Sequence, residues 1–322
     1  MVDYQIIGKT SVELSEKEWQ ELSGAFNLVF GKEFSAAYFK DKYLHSYLNF
    51  SIHGFLLYQE QIVGMFSIIP RLYHFNSEHK IIGLGCDAFI LPKHRKDDFF
   101  LKEMADAAYE ICKKNNINYL ISIPNPTAYP YWKYYGNWCD IGALDYYILP
   151  YKISKLIKVC EFFDVFSSVF FKIVNACSLW ISSFGKDKST DKKISLVKDE
   201  RFLEERYNKS DNYKIYKIDK QGYFVARQHD EDGVCTVYLV DCHPLTNNMI
   251  KKALYRIIKD FSFDVILFVG KLESHPFYFI KVPKSKEPRI QPFTCYLLTD
   301  KQKDDFLSIA SWNIGLADFD NR

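Results

Sequence analysis

The sequence lacks the residue spacings that a metal site would need. Eight cysteines are present (Cys86, Cys112, Cys139, Cys160, Cys177, Cys235, Cys242 and Cys295), and none forms a Cys-x-x-Cys pair or stands beside histidines at zinc spacing. Most lie in apolar runs, where a free thiol packs as a small hydrophobe. The expectation is no metal and a reducing, cytoplasmic compartment. An excess of one charge is also missing: Lys and Arg number 42 against 40 Asp and Glu, a net charge of +2. That excludes the concentrated basic face of a nucleic-acid binder. The opening Met-Val-Asp-Tyr-Gln has no basic region leading into an apolar run, so no secretory signal is expected. Within the apolar stretch Leu156–Phe184, Lys158, Glu161, Asp164, Lys172 and Asn175 interrupt any uninterrupted run of about 18 residues. The stretch reads as an amphipathic helix linking two halves, or as a helix touching a membrane surface.

What is present points to an α/β protein, an α+β mixed-sheet arrangement in two halves. The chain has 322 residues, which suits two domains of about 150 residues. Hydrophobic residues make up 48% and aromatics 17%, so the cores should be rich in rings. Periodicity predicts helices at Ser15–Phe30 and Phe34–Tyr43, then strands at Phe50–Tyr58, Ile62–Arg71 and His79–Leu91. A helix over Asp98–Asn115 places Phe100, Leu101, Met104, Ala108, Ile111 and Cys112 on one face. A buried strand over Ile117–Ile123, a short aromatic helix over Tyr129–Tyr135 and a strand over Ile141–Leu149 complete the first half. The polar stretch Gly185–Lys193 marks a boundary. The order then repeats: helix Arg201–Tyr207, strands Tyr213–Ile218, Gly222–Gln228 and Val234–Asp241, helix Thr246–Phe261, strand Phe263–Val269. Each half has a short helix ending in a basic residue and Tyr, at Lys42-Tyr43 and at Arg206-Tyr207. The expected organisation is a first domain 1–155, a helical and polar linker 156–193 and a second domain 194–322.

Leu84-Gly-Cys-Asp-Ala-Phe-Ile-Leu-Pro-Lys-His-Arg95 resembles the central strand, loop and helix start of the GNAT acetyltransferase superfamily. Ile90, Pro92, His94 and Arg95 match its apolar-x-Pro-x-aromatic-basic pattern, with His94 in the aromatic's place. Asn125, Tyr131, Trp132, Gly136 and Trp138 fall where the family has its next loop and short helix. More narrowly, Ile123–Thr127, Tyr146–Pro150, Phe202–Tyr207 and Trp312–Asp320 look like pieces of tandem GNAT-like proteins of bacterial polysaccharide-biosynthesis and sugar-acylating systems. The resemblance implies two tandem GNAT-like domains and acetyl-CoA or another acyl-CoA as co-substrate. The implied product is an N- or O-acylated small acceptor, such as a sugar or nucleotide-sugar.

The resemblance places the site in the first half. A strand-to-helix loop offers free backbone N–H groups and the positive end of a helix dipole to a pyrophosphate. The implied donor-binding residues are Phe89, Ile90, Leu91, Arg95, Lys96, Asp97, Asp98, Phe99, Phe100, Asn125 and Trp132, with Lys93 adding charge. The family's glycines at this loop are absent: Asp98 and Phe100 stand in their places, and Asp97 adds a second carboxylate. Trp132 occupies the position of the family's proton-donating Tyr, and Tyr131 is its neighbour. Asp87 is the candidate general base, with His53 and His74 on the neighbouring hairpin as others. The loop Cys242–Thr246 of the second half has no glycine-rich or basic character, and no cofactor site is expected there. Two other readings are a non-catalytic binding protein with a degenerate loop, and a Fem-type aminoacyl ligase, which near-neutral charge disfavours.

Overall fold

The chain begins with a strand that the sequence pattern did not announce. β1 (Tyr4–Thr10) is seven residues long and pairs antiparallel with β2 (Ile52–Tyr58), putting Gly8 opposite Gly54. A capping box starts α1 (Glu16–Phe30): the Ser15 hydroxyl accepts the Glu18 N–H, and the Glu18 carboxylate accepts the Ser15 N–H at 2.8 Å. Gly31, at φ 61°, ends it in a left-handed cap. α2 (Ala36–Tyr43) follows. β2 turns into β3 (Gln61–Phe75) through Gln59 and Glu60, both at positive φ. β3 pairs antiparallel with β4 (Glu78–Ile90). α3 (Phe100–Lys114) crosses over to β5 (Tyr119–Ser122), which lies parallel to β4. α4 (Ala128–Tyr134) and β6 (Cys139–Pro150) come next.

This computed structural model describes residues 4–75, 78–97, 99–155, 160–182, 193–207, 212–219, 222–299 and 304–319. The compact units are Met1–Gly142 with Gln291–Ser308, and Ala143–Ile290 with Ile309–Arg322. In the first unit, β13 (Gln291–Leu297) pairs antiparallel with β5, giving the strand order β1-β2-β3-β4-β5-β13. Helices cover both faces. α1 and α2 bury Trp19, Leu22, Phe26, Phe39 and Tyr43 against Phe55, Met65, Ile69 and Phe89. α3 and α4 bury Met104, Ala108, Cys112 and Trp132 against Leu56, Phe66, Ile68 and Leu120. The alternation of β2 sends Ile52 and Leu56 to the α3 face and Phe55 to the α1 face.

The second unit repeats this order. α5 (Phe162–Ser182), β7 (Ile194–Leu196) and α6 (Glu200–Tyr207) precede three antiparallel strands, β8 (Lys214–Lys217), β9 (Tyr223–Glu231) and β10 (Val234–His243). α7 (Asn247–Asp260) then leads to β11 (Val265–Gly270), parallel to β10, with β6 antiparallel to β11. The strands β12 (Ile280–Lys281) and β14 (Trp312–Asn313) are two residues each and pair with β6 and β7. α7 seals this core with Met249, Ile250, Ala253, Leu254 and Ile257, the stripe its 3.6-residue period predicts.

Candidate active site

The β3–β4 register jumps at one place. Met65 faces Phe89 while Ser67 faces Cys86, so β4 carries an extra residue. Asp87 sits in this bulge at φ 48°, a conformation costly for a non-glycine residue and held by its side-chain contacts. Its Oδ2 accepts the Tyr43 hydroxyl at 2.5 Å and lies 2.7 Å from Lys42 Nζ. Both partners come from the last turn of α2. The Ser67 hydroxyl bonds Tyr43 and also lies 2.9 Å from His53 Nδ1. His53, Ser67 and Tyr43 are fully or almost fully shielded from solvent. Burial, then the Asp87 charge, holds the Tyr43 phenol well above its usual pKa, so it stays a donor. Burial pushes His53 down to about 3, which keeps it neutral. His74 lies apart from this chain, at an exposed pairing with His79, and its pKa is lowered by partial burial and by that neighbour.

Just before the bulge β4 loses its parallel neighbour. The β4–β5 ladder ends at Leu84 opposite Ile121, and the Ser122 hydroxyl donates to Gly85 O at 3.0 Å. Among the described residues, no strand pairs with residues 87–89 on the β5 side. An open strand edge is a template for amide groups of an extended ligand. Phe89 and Ile90 are buried in the two cores on either face of the sheet. The Leu91 N–H is already bonded to Val63 O at 2.8 Å, so it is not a free oxyanion donor.

The start of α3 is capped by the chain's own groups. Asp97 Oδ1 accepts the Phe99 N–H at 2.8 Å, and the Tyr131 hydroxyl accepts the Lys102 N–H at 3.1 Å. Arg95 turns its Nε onto Ile90 O at 2.9 Å. Lys93, Lys96 and Phe99 are exposed, and Phe100 packs against Tyr4. His94 Nδ1 bonds the Tyr4 hydroxyl at 2.9 Å; burial, then the Lys96 and Lys93 charges, lowers its pKa. Asp98 lies outside the described residues. Asn125 caps α4 by accepting the Ala128 N–H at 2.8 Å. Trp132 is a core side chain, 6% exposed and against Phe66, so its indole belongs to packing. The structure thus gathers Asp87, Phe89 and Ile90 on β4 with Leu91 just after it, and Arg95, Asp97 and Tyr131 around one helix end. Sequence reasoning missed Lys42, Tyr43 and Ser67 as site residues. The basic-Tyr helix ending was the visible signal for Lys42 and Tyr43; Ser67 had none.

The second unit carries a counterpart of the bulge. The β9–β10 register shifts between Leu239 and Asp241, and Tyr207, the last residue of α6, donates to Asp241 Oδ2 at 3.2 Å. Here both oxygens are engaged. Tyr223 donates to Oδ2 at 2.9 Å, while Lys198 Nζ and the Cys242 N–H reach Oδ1 at 2.7 and 2.9 Å. Burial works against the Lys198 charge, but Asp241 and Asp318 outweigh it and raise its pKa. A cavity of about 510 Å³ adjoins this cluster, bordered by Lys198, Lys217, Tyr223 and His243 among others.

This fold is that of GCN5-related N-acetyltransferases. A crystal structure of such a protein from Anabaena variabilis aligns with a TM-score of 0.60 at 11% identity, covering 92% of this chain and 73% of that one. A probable N-acyltransferase from Enterococcus faecalis aligns at 0.58 and 13% identity, again over 92% and 73%. Eis1 from Mycobacterium abscessus aligns at 0.53 and 11% identity over 91% and 74%. No family model matches the sequence, and no curated protein matches it.

Proposed function

We propose that the protein is an acyl-CoA-dependent N- or O-acyltransferase built from two tandem GNAT-like domains, with its active site in the first. The expected divisions 1–155, 156–193 and 194–322 differ from the compact units, which place Ala143–Ile290 in the second unit and Gln291–Ser308 in the first. The observation that carries the reading is the bulge at Asp87 beside the open edge of β4. In the reaction proposed, the acceptor amine or hydroxyl attacks the thioester carbonyl and the C–S bond breaks. Asp87 takes the acceptor's proton on Oδ1, since Lys42 and Tyr43 both engage Oδ2. The departing thiolate takes a proton from Tyr131. That hydroxyl accepts an amide N–H at the α3 start, which stabilises the charge left on its oxygen. A small polar acceptor such as a sugar or nucleotide-sugar suits this direct transfer, and a cytoplasmic setting suits the free thiols.

A specific observation favours the binding-protein alternative. Asp97 and Tyr131 occupy amides that a pyrophosphate would otherwise use, so phosphates have Lys93 and Lys96 side chains to bind instead. Thermal unfolding with about 1 mM acetyl-CoA separates the readings, because a ligand bound at about 10 μM adds roughly 2.7 kcal/mol of stability. No shift with any of several acyl-CoAs would reject the acyltransferase. Given binding, Asp87→Asn should lower kcat by roughly 10²–10⁴, the range for loss of a general base.

A further inference from the structure

The helix α5 has an inner side docked on the second unit and an opposed apolar stripe. On the inner side Ser167, Phe171 and Asn175 are buried, and Phe171 belongs to the core closed by α7. The Ser167 hydroxyl donates to Tyr151 O at 2.7 Å, and Asn175 Nδ2 donates to the Tyr278 hydroxyl at 2.7 Å. At about 100° per residue the opposite side is Phe162, Val165, Phe166, Val169, Ile173 and Trp180. All six are between 48% and 72% exposed. Of the 18 large apolar side chains exposed among the described residues, eight lie in this one helix. An exposed patch of this size marks a docking surface.

Charge beside the stripe tells which surface it meets. α7, packed against α5, carries Lys251, Lys252, Arg256 and Lys259 against the single acid Asp260. A groove of about 300 Å³ is lined by Lys172 and Asn175 of α5 and by Tyr255, Ile258 and Lys259 of α7. At its wall the Asn175 Oδ1 is buried without a hydrogen-bond donor. Two cations and a tyrosine are groups that meet a phosphodiester headgroup bearing hydroxyls. A protein partner would need its own matching apolar face, whereas a bilayer interface supplies apolar depth and anionic charge together.

We propose that α5 lies in the plane of an anionic lipid surface, its outer stripe in the acyl boundary and the α5–α7 groove on the headgroups. The window Phe162–Trp180 is long and apolar enough to cross a membrane, but its inner side is bonded to the rest of the second unit, which fixes an in-plane position. This proposal stands independently of the acyl-transfer reading.

The test uses the full chain and vesicles of phosphatidylcholine, with or without about 30% phosphatidylglycerol. Trp180 is 72% exposed, while Trp19, Trp132, Trp138 and Trp312 are at most 6% exposed, so a blue shift of emission on adding vesicles reports α5 alone. The expected result is a blue shift and flotation with anionic vesicles, both weakened by about 0.5 M salt. The shift should be lost in W180F. Phe166→Glu with Ile173→Glu should cut vesicle partitioning more than about a hundredfold while the thermal midpoint holds. Lys172→Glu with Lys259→Glu should weaken binding to anionic vesicles only. No shift and no flotation would overturn the proposal. So would a dimer of the free protein that the Phe166 and Ile173 changes dissociate, or resistance to alkaline carbonate extraction, the behaviour of a spanning helix.

Discussion

His53 and Asp87 hold the most direct consequences for single side chains. The His53 imidazole is fully buried and its pKa falls to about 3, against the ordinary 6.5. An unfolded chain would bind a proton there below pH 6.5, and the folded chain does not. Stability is therefore complete above pH 6.5 and declines as pH falls towards 3, by about 1.4 kcal/mol per pH unit from this group. Urea unfolding at pH 6.5 and pH 5 should show about 2 kcal/mol of that slope vanish in His53→Gln. Equal slopes in both proteins would mean the ring can be protonated where it stands. Asp87→Asn leaves Lys42, only 8% exposed, without its counter-charge and should cost about 3–5 kcal/mol. Tyr43→Phe removes the phenol's hydrogen bonds to Asp87 and Ser67 and should cost about 1–3 kcal/mol. Denaturant midpoints check both, and the reverse order would place the weight on the phenol. The sequence offered Asp87 as a candidate base on the strand expected over His79–Leu91. The partners that orient it sit 44 and 45 positions earlier and become neighbours only when α2 packs on the sheet.

At the scale of the element, the start of α3 and its packing decide most. Gly54 has Met104 O where a Cβ would stand, at 1.7 Å, and at Gly8 the distance to Ala107 O is 2.7 Å. The helix backbone rests directly on this glycine pair. Gly54→Ala should destabilise by at least about 3 kcal/mol, the upper range of overpacking, because backbone rather than a flexible side chain must move. Calorimetry checks this, and a loss below about 1 kcal/mol would mean α3 can slide. Asp97 has opposed roles: it caps the Phe99 amide and sets a negative charge where a phosphate would bind. Asp97→Ala should cost about 1 kcal/mol of stability, yet tighten acyl-CoA binding in a calorimetric titration if the donor phosphates lie there. Weaker binding would move them elsewhere. The sequence marked this loop by its Pro92 and charged run. Tyr131 reaching the Lys102 amide was invisible, because it depends on α4 docking beside α3.

For the whole molecule, the chain's return matters most. β13 pairs with β5, with Phe293 and Cys295 fully buried, and the Thr294 hydroxyl donates to Ser122 O at 3.1 Å. A fragment ending at residue 155 lacks this strand and exposes the β5 edge. It should be open to proteolysis and lack the cooperative thermal transition that the first unit should show within the full chain. A sharp transition in the fragment would show that β13 is dispensable. The two units share one order: three antiparallel strands, a crossover helix, a parallel strand and an antiparallel neighbour. Each also has a helix-terminal Tyr donating to an Asp at a bulge. They differ in what remains open: Asp241 has four partners across both oxygens, and Asp87 has two on one.

The sequence by itself determined the periodic elements and their repeated order, and it put forward β4 and the loop after it as the place for a candidate site. Those features are local: period two and period 3.6 are written in neighbouring residues, and a capping box or a left-handed Gly31 needs only a few positions. The tertiary structure alone decided which strand completes each sheet, which hydroxyls reach the helix amides, and which side of α5 meets solvent. Those depend on contacts between residues up to 172 positions apart, such as Thr294 with Ser122, whose registry no local pattern encodes.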